Sequence, residues 1–205
     1  MSKKRILVSI VFNFILFMAI IRGLLLRLNY SNIIDNLRYA EFVCPIILAF
    51  IVVLYILSLV HSFNSNSMTC KFIEGIRLIF VSFEVVIMIV EILILMPYRG
   101  SFDISGSGIY LYIVIPILSL VSILVTKRNY SIFALAYGII GSLMYLSIIS
   151  SLVGLRKIDC PYRFMDVYYQ RAYKSVINYV VVLGINEIVV GIITTVTKTK
   201  RVVKN

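Results

Sequence analysis

Charge is scarce in this chain. Only 14% of its 205 residues are charged, nine of them acidic, against 61% hydrophobic. A soluble domain is about a quarter charged and nearer half apolar. This much apolar surface exceeds what one water-soluble core can hide, so the composition points to an integral membrane protein with the lipid bilayer as its first partner. Histidine occurs once, as His61, with no cysteine or carboxylate close to it in sequence, which excludes a sequence-local metal motif. Cysteine occurs three times, as Cys44, Cys70 and Cys160. An odd count without a Cys-x-x-Cys argues against a zinc site and against a disulfide framework. There is no Gly-x-Ser-x-Gly elbow and no glycine-rich phosphate loop leading into Lys-Ser or Lys-Thr, so nothing calls for a cofactor.

What is present is a series of long apolar runs. They lie at 6–28, 42–61, 76–97, 108–126, 132–154 and 176–197. Each has about the 20 residues that a spanning helix needs. They are too long for the alternating ten-residue strands of a membrane barrel. The expectation is an all-α polytopic membrane protein, one domain over 1–205, built as a bundle of six transmembrane helices. The basic start Ser2-Lys3-Lys4-Arg5 followed by an apolar run has no small-residue cleavage site, so the first run reads as a retained helix.

The net charge of +11 would suggest nucleic acid in a soluble protein. Here the basic residues fall in the breaks between apolar runs, the pattern of membrane topology, and no nucleic-acid partner is expected. The termini carry Lys3, Lys4, Arg5, Lys198, Lys200, Arg201 and Lys204. With Lys71, Arg77, Lys127 and Arg128 they outweigh the basic residues of the opposite side, which places both termini in the cytoplasm of a cell-membrane protein. The breaks at 64–69 and 99–108 are rich in Ser and Gly and read as turns. Pro97 is expected to close the third helix, Pro116 to kink the fourth, and Pro45 to sit in the first turn of the second. The fifth run carries Ala134, Gly138 and Ser142, continued by Ser147 and Ser151. Such a face lets helix backbones approach closely, within one bundle or between copies of the chain.

A few polar residues interrupt the runs. Arg22, Glu84, Glu91 and Glu187 form a candidate intramembrane polar site. Each costs about 2.5–3.5 kcal/mol at the centre of a bilayer on insertion scales, so each should face the bundle interior or water. Glu84 and Glu91 are seven residues apart and share a face with Arg77. Arg22 and Glu91 each lie about 9 Å from the outer end of their helix. They therefore admit a buried ion pair that fixes packing, or a ligand or proton site.

The longest polar interval in the later chain, 156–169, mixes charged groups with Tyr, Phe and Pro, and suits the membrane–water boundary. In the same topology Glu41 opens the second helix, Tyr112 opens the fourth, and the stretch 160–166 precedes the sixth. Glu41, Tyr112, Tyr162 and Asp166 thus share the outer side. They form either an outward-facing polar pocket or an aromatic belt with solvated charges.

The segment from Tyr137 to Asp166 reads Tyr-Gly-Ile-Ile-Gly-Ser-Leu-Met-Tyr, a Gly-Leu-Arg break, then Cys-Pro-Tyr-Arg-Phe-Met-Asp. Upstream lies Tyr112-Ile-Val-Ile-Pro116. Together these resemble a family of small bacterial six-helix membrane proteins of unassigned function. That family has a His-x-x-x-Pro opening its fourth helix and a Tyr-Pro-Phe-Asp-like motif between helices five and six. It is distantly similar to the androgen-induced membrane proteins, which hydrolyse fatty-acid esters of hydroxy fatty acids. The resemblance implies a six-helix layout and a lipid-ester class of substrate. The family's dyad has no counterpart here. Tyr112 stands in the histidine's place, and the second helix opens Leu37-Arg38-Tyr39-Ala40-Glu41-Phe42 without a threonine. Beside lipid-ester chemistry stands a second class, a bundle that binds or transports a lipid or small-molecule ligand. The number of intramembrane charges favours that class.

Overall fold

The computed structural model describes residues 3–28, 33–37, 39–62, 68–99, 106–126, 133–156, 162, 168 and 172–198. Every regular element among them is helical. We label the long helices in chain order: α1 (Lys3–Leu28), α2 (Ala40–Ser62), α3 (beginning as Met68–Val90), α4 (ending as Ile115–Thr126), α5 (Phe133–Gly154) and α6 (Ala172–Lys198). A one-turn helix, Ile33–Asn36, joins α1 to α2. Among the described residues, five helices are long and apolar enough to cross a membrane: Arg5–Leu28, Ala40–Val60, Phe72–Leu95, Gly106–Thr126 and Tyr173–Thr197.

Except for α5, the helices start earlier than the apolar runs do. Helix α2 begins at Ala40, where the Tyr39 carbonyl accepts from the N–H groups of Phe42 and Val43. Glu41 falls in its first turn, complementing the positive end of the helix dipole. Pro45 consequently sits inside the helix rather than in its first turn. Helix α3 begins at Met68, so Arg77 is an interior helix residue and not a loop charge. A buried partner, Tyr55, lets the helix include Glu74, ahead of the run that hydropathy alone would begin at 76.

Pro97 does not close α3. After Val90 the chain enters a π-helical turn, Glu91–Leu95, and resumes as α-helix over Met96–Arg99. Helix α4 repeats the device: an α turn, Gly106–Ile109, then a π turn, Tyr110–Val114, then Ile115–Thr126 with Pro116 inside. A proline lacks the N–H for the i−4 carbonyl, and its ring crowds that carbonyl. Widening the preceding turn by one residue relieves the crowding without ending the helix.

Helix α3 is the centre of the bundle and packs against α2, α4, α5 and α6. Helix α1 lies against α2 and α4, and α5 pairs with α6. The main core joins Leu16 and Ile20 of α1, Leu48 and Val52 of α2, Leu78 and Val81 of α3, Leu111, Ile115 and Ile123 of α4, and Val190 and Ile193 of α6. The outer faces are also apolar, with Phe14, Phe50, Phe72, Leu93 and Ile188 all more than half exposed. Many polar side chains are instead inside: Ser9, Asn13, Arg77, Ser82, Glu84, Glu91, Ser119 and Ser122 are fully buried. Polarity is therefore turned inward.

The small-residue face of α5 divides. Gly138 and Ser142 meet α6, where Asn186 donates to both, and Gly141 meets Ile79 and Phe83 of α3. Ser147 and Ser151 are exposed and do not extend that contact. The side chain of Ala134 lies outside the described residues.

Candidate functional site

The site is built on Glu41. Its carboxylate, 3% exposed, receives two tyrosine hydroxyls. Tyr112 donates to Oε1 at 3.2 Å, and Tyr162 donates to Oε2 in a shorter contact. The Tyr162 oxygen also accepts from the backbone N–H of Ala40 at 3.2 Å. That N–H is one of the donors that a helix start leaves without an intrahelical acceptor, so Tyr162 caps α2 and fixes Glu41 at once. The Tyr162 ring stands edge-on to Tyr39, with centroids 6.4 Å apart. Three of the four residues expected to share the outer side thus meet as one hydrogen-bonded group. Asp166 lies outside the described residues.

Behind this group is a cavity of about 70 Å³. Its walls are mostly apolar, from Phe83, Val86, Ile87, Val90, Leu95 and Val182. Its polar groups are Glu41, Glu91, Tyr112, Tyr162, Cys44, Ser142 and Asn186. Both π turns deliver residues to it: Glu91 and Leu95 come from the first, Tyr112 from the second. The extra backbone residue in each turn rotates these side chains relative to a regular helix, and π turns recur at functional sites for that reason.

Asn186 holds the far wall. Its Nδ2 donates to Ser142 Oγ at 2.7 Å and to the Gly138 carbonyl at 3.3 Å. A carbonyl only accepts, so the amide nitrogen must face α5. The Oδ1 atom is then left, enclosed and without a donor.

The intramembrane candidates separate into different places. Glu91 is fully buried and lines the cavity. Glu84, also fully buried, has neither carboxylate oxygen hydrogen-bonded, and it lies within electrostatic range of Glu41 and Cys44. Glu187 is half-buried at the α5–α6 seam, where its Oε1 closes the space over Gly138. Arg22 is exposed on α1, with its guanidinium 5.8 Å from the centroid of the Tyr110 ring. The expected pairing of Arg22 with Glu91 is therefore replaced: one side chain lies on the outer face and the other in the core. Depth along two helices can match while their facing differs, because facing depends on helix rotation.

A second buried polar group lies further down α3. Arg77 is fully enclosed; its Nη2 donates to the Ser122 carbonyl at 3.1 Å and to Thr126 Oγ1 at 3.0 Å. The guanidinium stacks over Tyr55 at 4.3 Å, and Tyr55 donates to Glu74 at 2.9 Å. Sequence reasoning put Arg77 on the face of Glu84 and Glu91, and all three are wholly buried. It missed Tyr55, Glu74, Asn186 and Ser142 as partners. The single tyrosine within the apolar run of α2 was the available signal for the first of them.

His61 lies in the last turn of α2, and its side chain lies outside the described residues. Among the described residues no group of three His, Cys, Asp or Glu stands together in a way that could hold a metal ion. Comparison of the chain with models of protein families, with curated proteins and with solved structures returns no match.

Proposed function

We propose that this chain is a multi-pass protein of the cell membrane, with six spans and both termini cytoplasmic, that binds a small and mostly apolar molecule in the cavity between α2, α3, α4 and α6. Apolar outer faces around a polar interior are what a lipid solvent favours, since water no longer rewards exposed charge. Helix α5, 22 residues without a charged side chain, is then the sixth span beside those five. The observation that carries the binding reading is a buried carboxylate, Glu41, held by Tyr112 and Tyr162 at the edge of an apolar cavity. Binding pockets are largely apolar with a few fixed polar groups, and this one has that form.

Lipid-ester hydrolysis, which the family resemblance implies, is less well supported. Catalysis by a hydroxyl or thiol requires an adjacent base. At the histidine's position Tyr112 is engaged with Glu41, and no histidine lines the cavity among the described residues.

The test is native mass spectrometry of the protein purified in lipid nanodiscs, beside a Val86→Trp variant that fills the cavity. A small molecule released from the wild type and missing from the variant is the expected result. An empty wild type, with neither lipid nor small molecule retained specifically, overturns the reading.

A further inference from the structure

We propose that the occupant of this cavity is a hydrogen-bond donor of positive charge, an organic ammonium carried on a compact apolar body. This rests on the binding reading above and names its ligand class.

The argument is one of donors and acceptors. Among the described residues lining the cavity there is no Lys, Arg or His. The hydroxyl hydrogens of Tyr112 and Tyr162 are committed to Glu41, and the amide hydrogens of Asn186 are committed to α5. Two neutral donors remain, the Ser142 hydroxyl and the weak Cys44 thiol; against them stands the larger acceptor capacity. Each Glu41 oxygen takes one tyrosine, whereas an ionised carboxylate has about four acceptor positions in all. Asn186 is 1% exposed and its Oδ1 has no donor against it. That orphaned acceptor is independent of the carboxylates, comes from a different helix, and belongs to a side chain lining the same cavity.

A buried acceptor without a donor is costly, and nearly all such groups in folded proteins find a partner. An ammonium supplies up to three donors and a charge to face Glu41. An apolar body of few atoms suits the walls made by Phe83, Val86 and Val182. A neutral alcohol satisfies one acceptor but leaves the charge unmatched, and an anion meets like charge with no cationic side chain among the described lining residues.

Three molecules of one skeleton separate these cases: 2-phenylethylamine, 2-phenylethanol and 3-phenylpropionate. Their binding to the protein in nanodiscs is measured by calorimetry, with empty nanodiscs subtracted to remove partitioning. The amine is expected to bind at least about tenfold more tightly than the alcohol, the factor that one charge-assisted contact contributes. The carboxylate is expected not to bind. Glu41→Gln keeps an acceptor for the tyrosines while removing the charge, and should bring the amine to the level of the alcohol. If the alcohol matches the amine in the wild type, and Val86→Trp abolishes both, the charge class is overturned while the pocket stands. Preference for the carboxylate also overturns it. If none of the three binds above empty nanodiscs, the pocket reading falls with it.

Discussion

The backbone N–H of Ile115 donates to the carbonyl of Tyr110, five residues back instead of four, one residue before Pro116. Met96 does the same to Glu91, one residue before Pro97. The two π turns stand at the same distance from their prolines, and each presents a residue to the cavity. The prolines therefore shape the site without touching it.

Pro116→Ala lets α4 return to a regular helix, which turns Tyr112 away from Glu41. The loss is that of one hydrogen bond to a carboxylate, about 1.5–3 kcal/mol. Tyr112→Phe removes the same bond. Thermal unfolding in detergent should show the double variant losing no more than the larger of the two single losses. Additive losses would mean that the π turn does not serve to place Tyr112.

Arg77→Lys keeps the charge but not the planar fork that reaches Ser122 and Thr126 or the flat surface that stacks on Tyr55. It should lower stability by about 1.5–3 kcal/mol, the range for a hydrogen bond involving a charged group. A melting temperature unchanged from wild type would show that charge alone is needed there.

At Gly141 a Cβ would stand 2.6 Å from Ile79 Cγ2, on the α5–α3 contact, whereas at Gly154 nothing lies within 4 Å. The Ile79 methyl is attached at its Cβ and cannot swing aside, so a helix must move. Gly141→Ala should cost about 1–3 kcal/mol, the usual penalty of overpacking. Gly154→Ala should be neutral or slightly stabilising, since alanine favours helix over glycine. Equal melting temperatures for the two variants would refute the close contact.

Arg22→Leu and Glu91→Leu should change stability independently. Arg22 lies outside the bundle over Tyr110, and Glu91 lies in its core. Their effects should add to within about 0.5 kcal/mol in a double-mutant cycle. Recovery in the double variant would restore the ion pair.

The orientation is checked by labelling. A cysteine placed at Lys200 should stay unmodified by a membrane-impermeant thiol reagent in intact cells and react after permeabilisation. Reaction in intact cells reverses the topology that the basic termini imply.

An all-helical architecture was legible in the sequence because long apolar runs leave the backbone one local way to satisfy its hydrogen bonds. The shared face of Arg77, Glu84 and Glu91 was legible too, since helical periodicity carries it. Alternating spans also put Glu41, Tyr112 and Tyr162 at one end in the sequence reading, which left open whether they would form a pocket or an aromatic belt; their hydrogen bonding came from the packing. Other features belong to the tertiary structure alone. Glu74 lies in α3 ahead of its apolar run with a partner from α2, and Arg77, just inside the run, is held from α4. The rotation of α1 carries Arg22 outward, and no spacing within α1 specifies that angle relative to α3. The amide of Asn186 is oriented by Gly138 and Ser142 on another helix. The cavity exists because two π turns and the α5–α6 seam converge on it, and helix rotation and packing are decided between helices, where a single run of sequence carries no information.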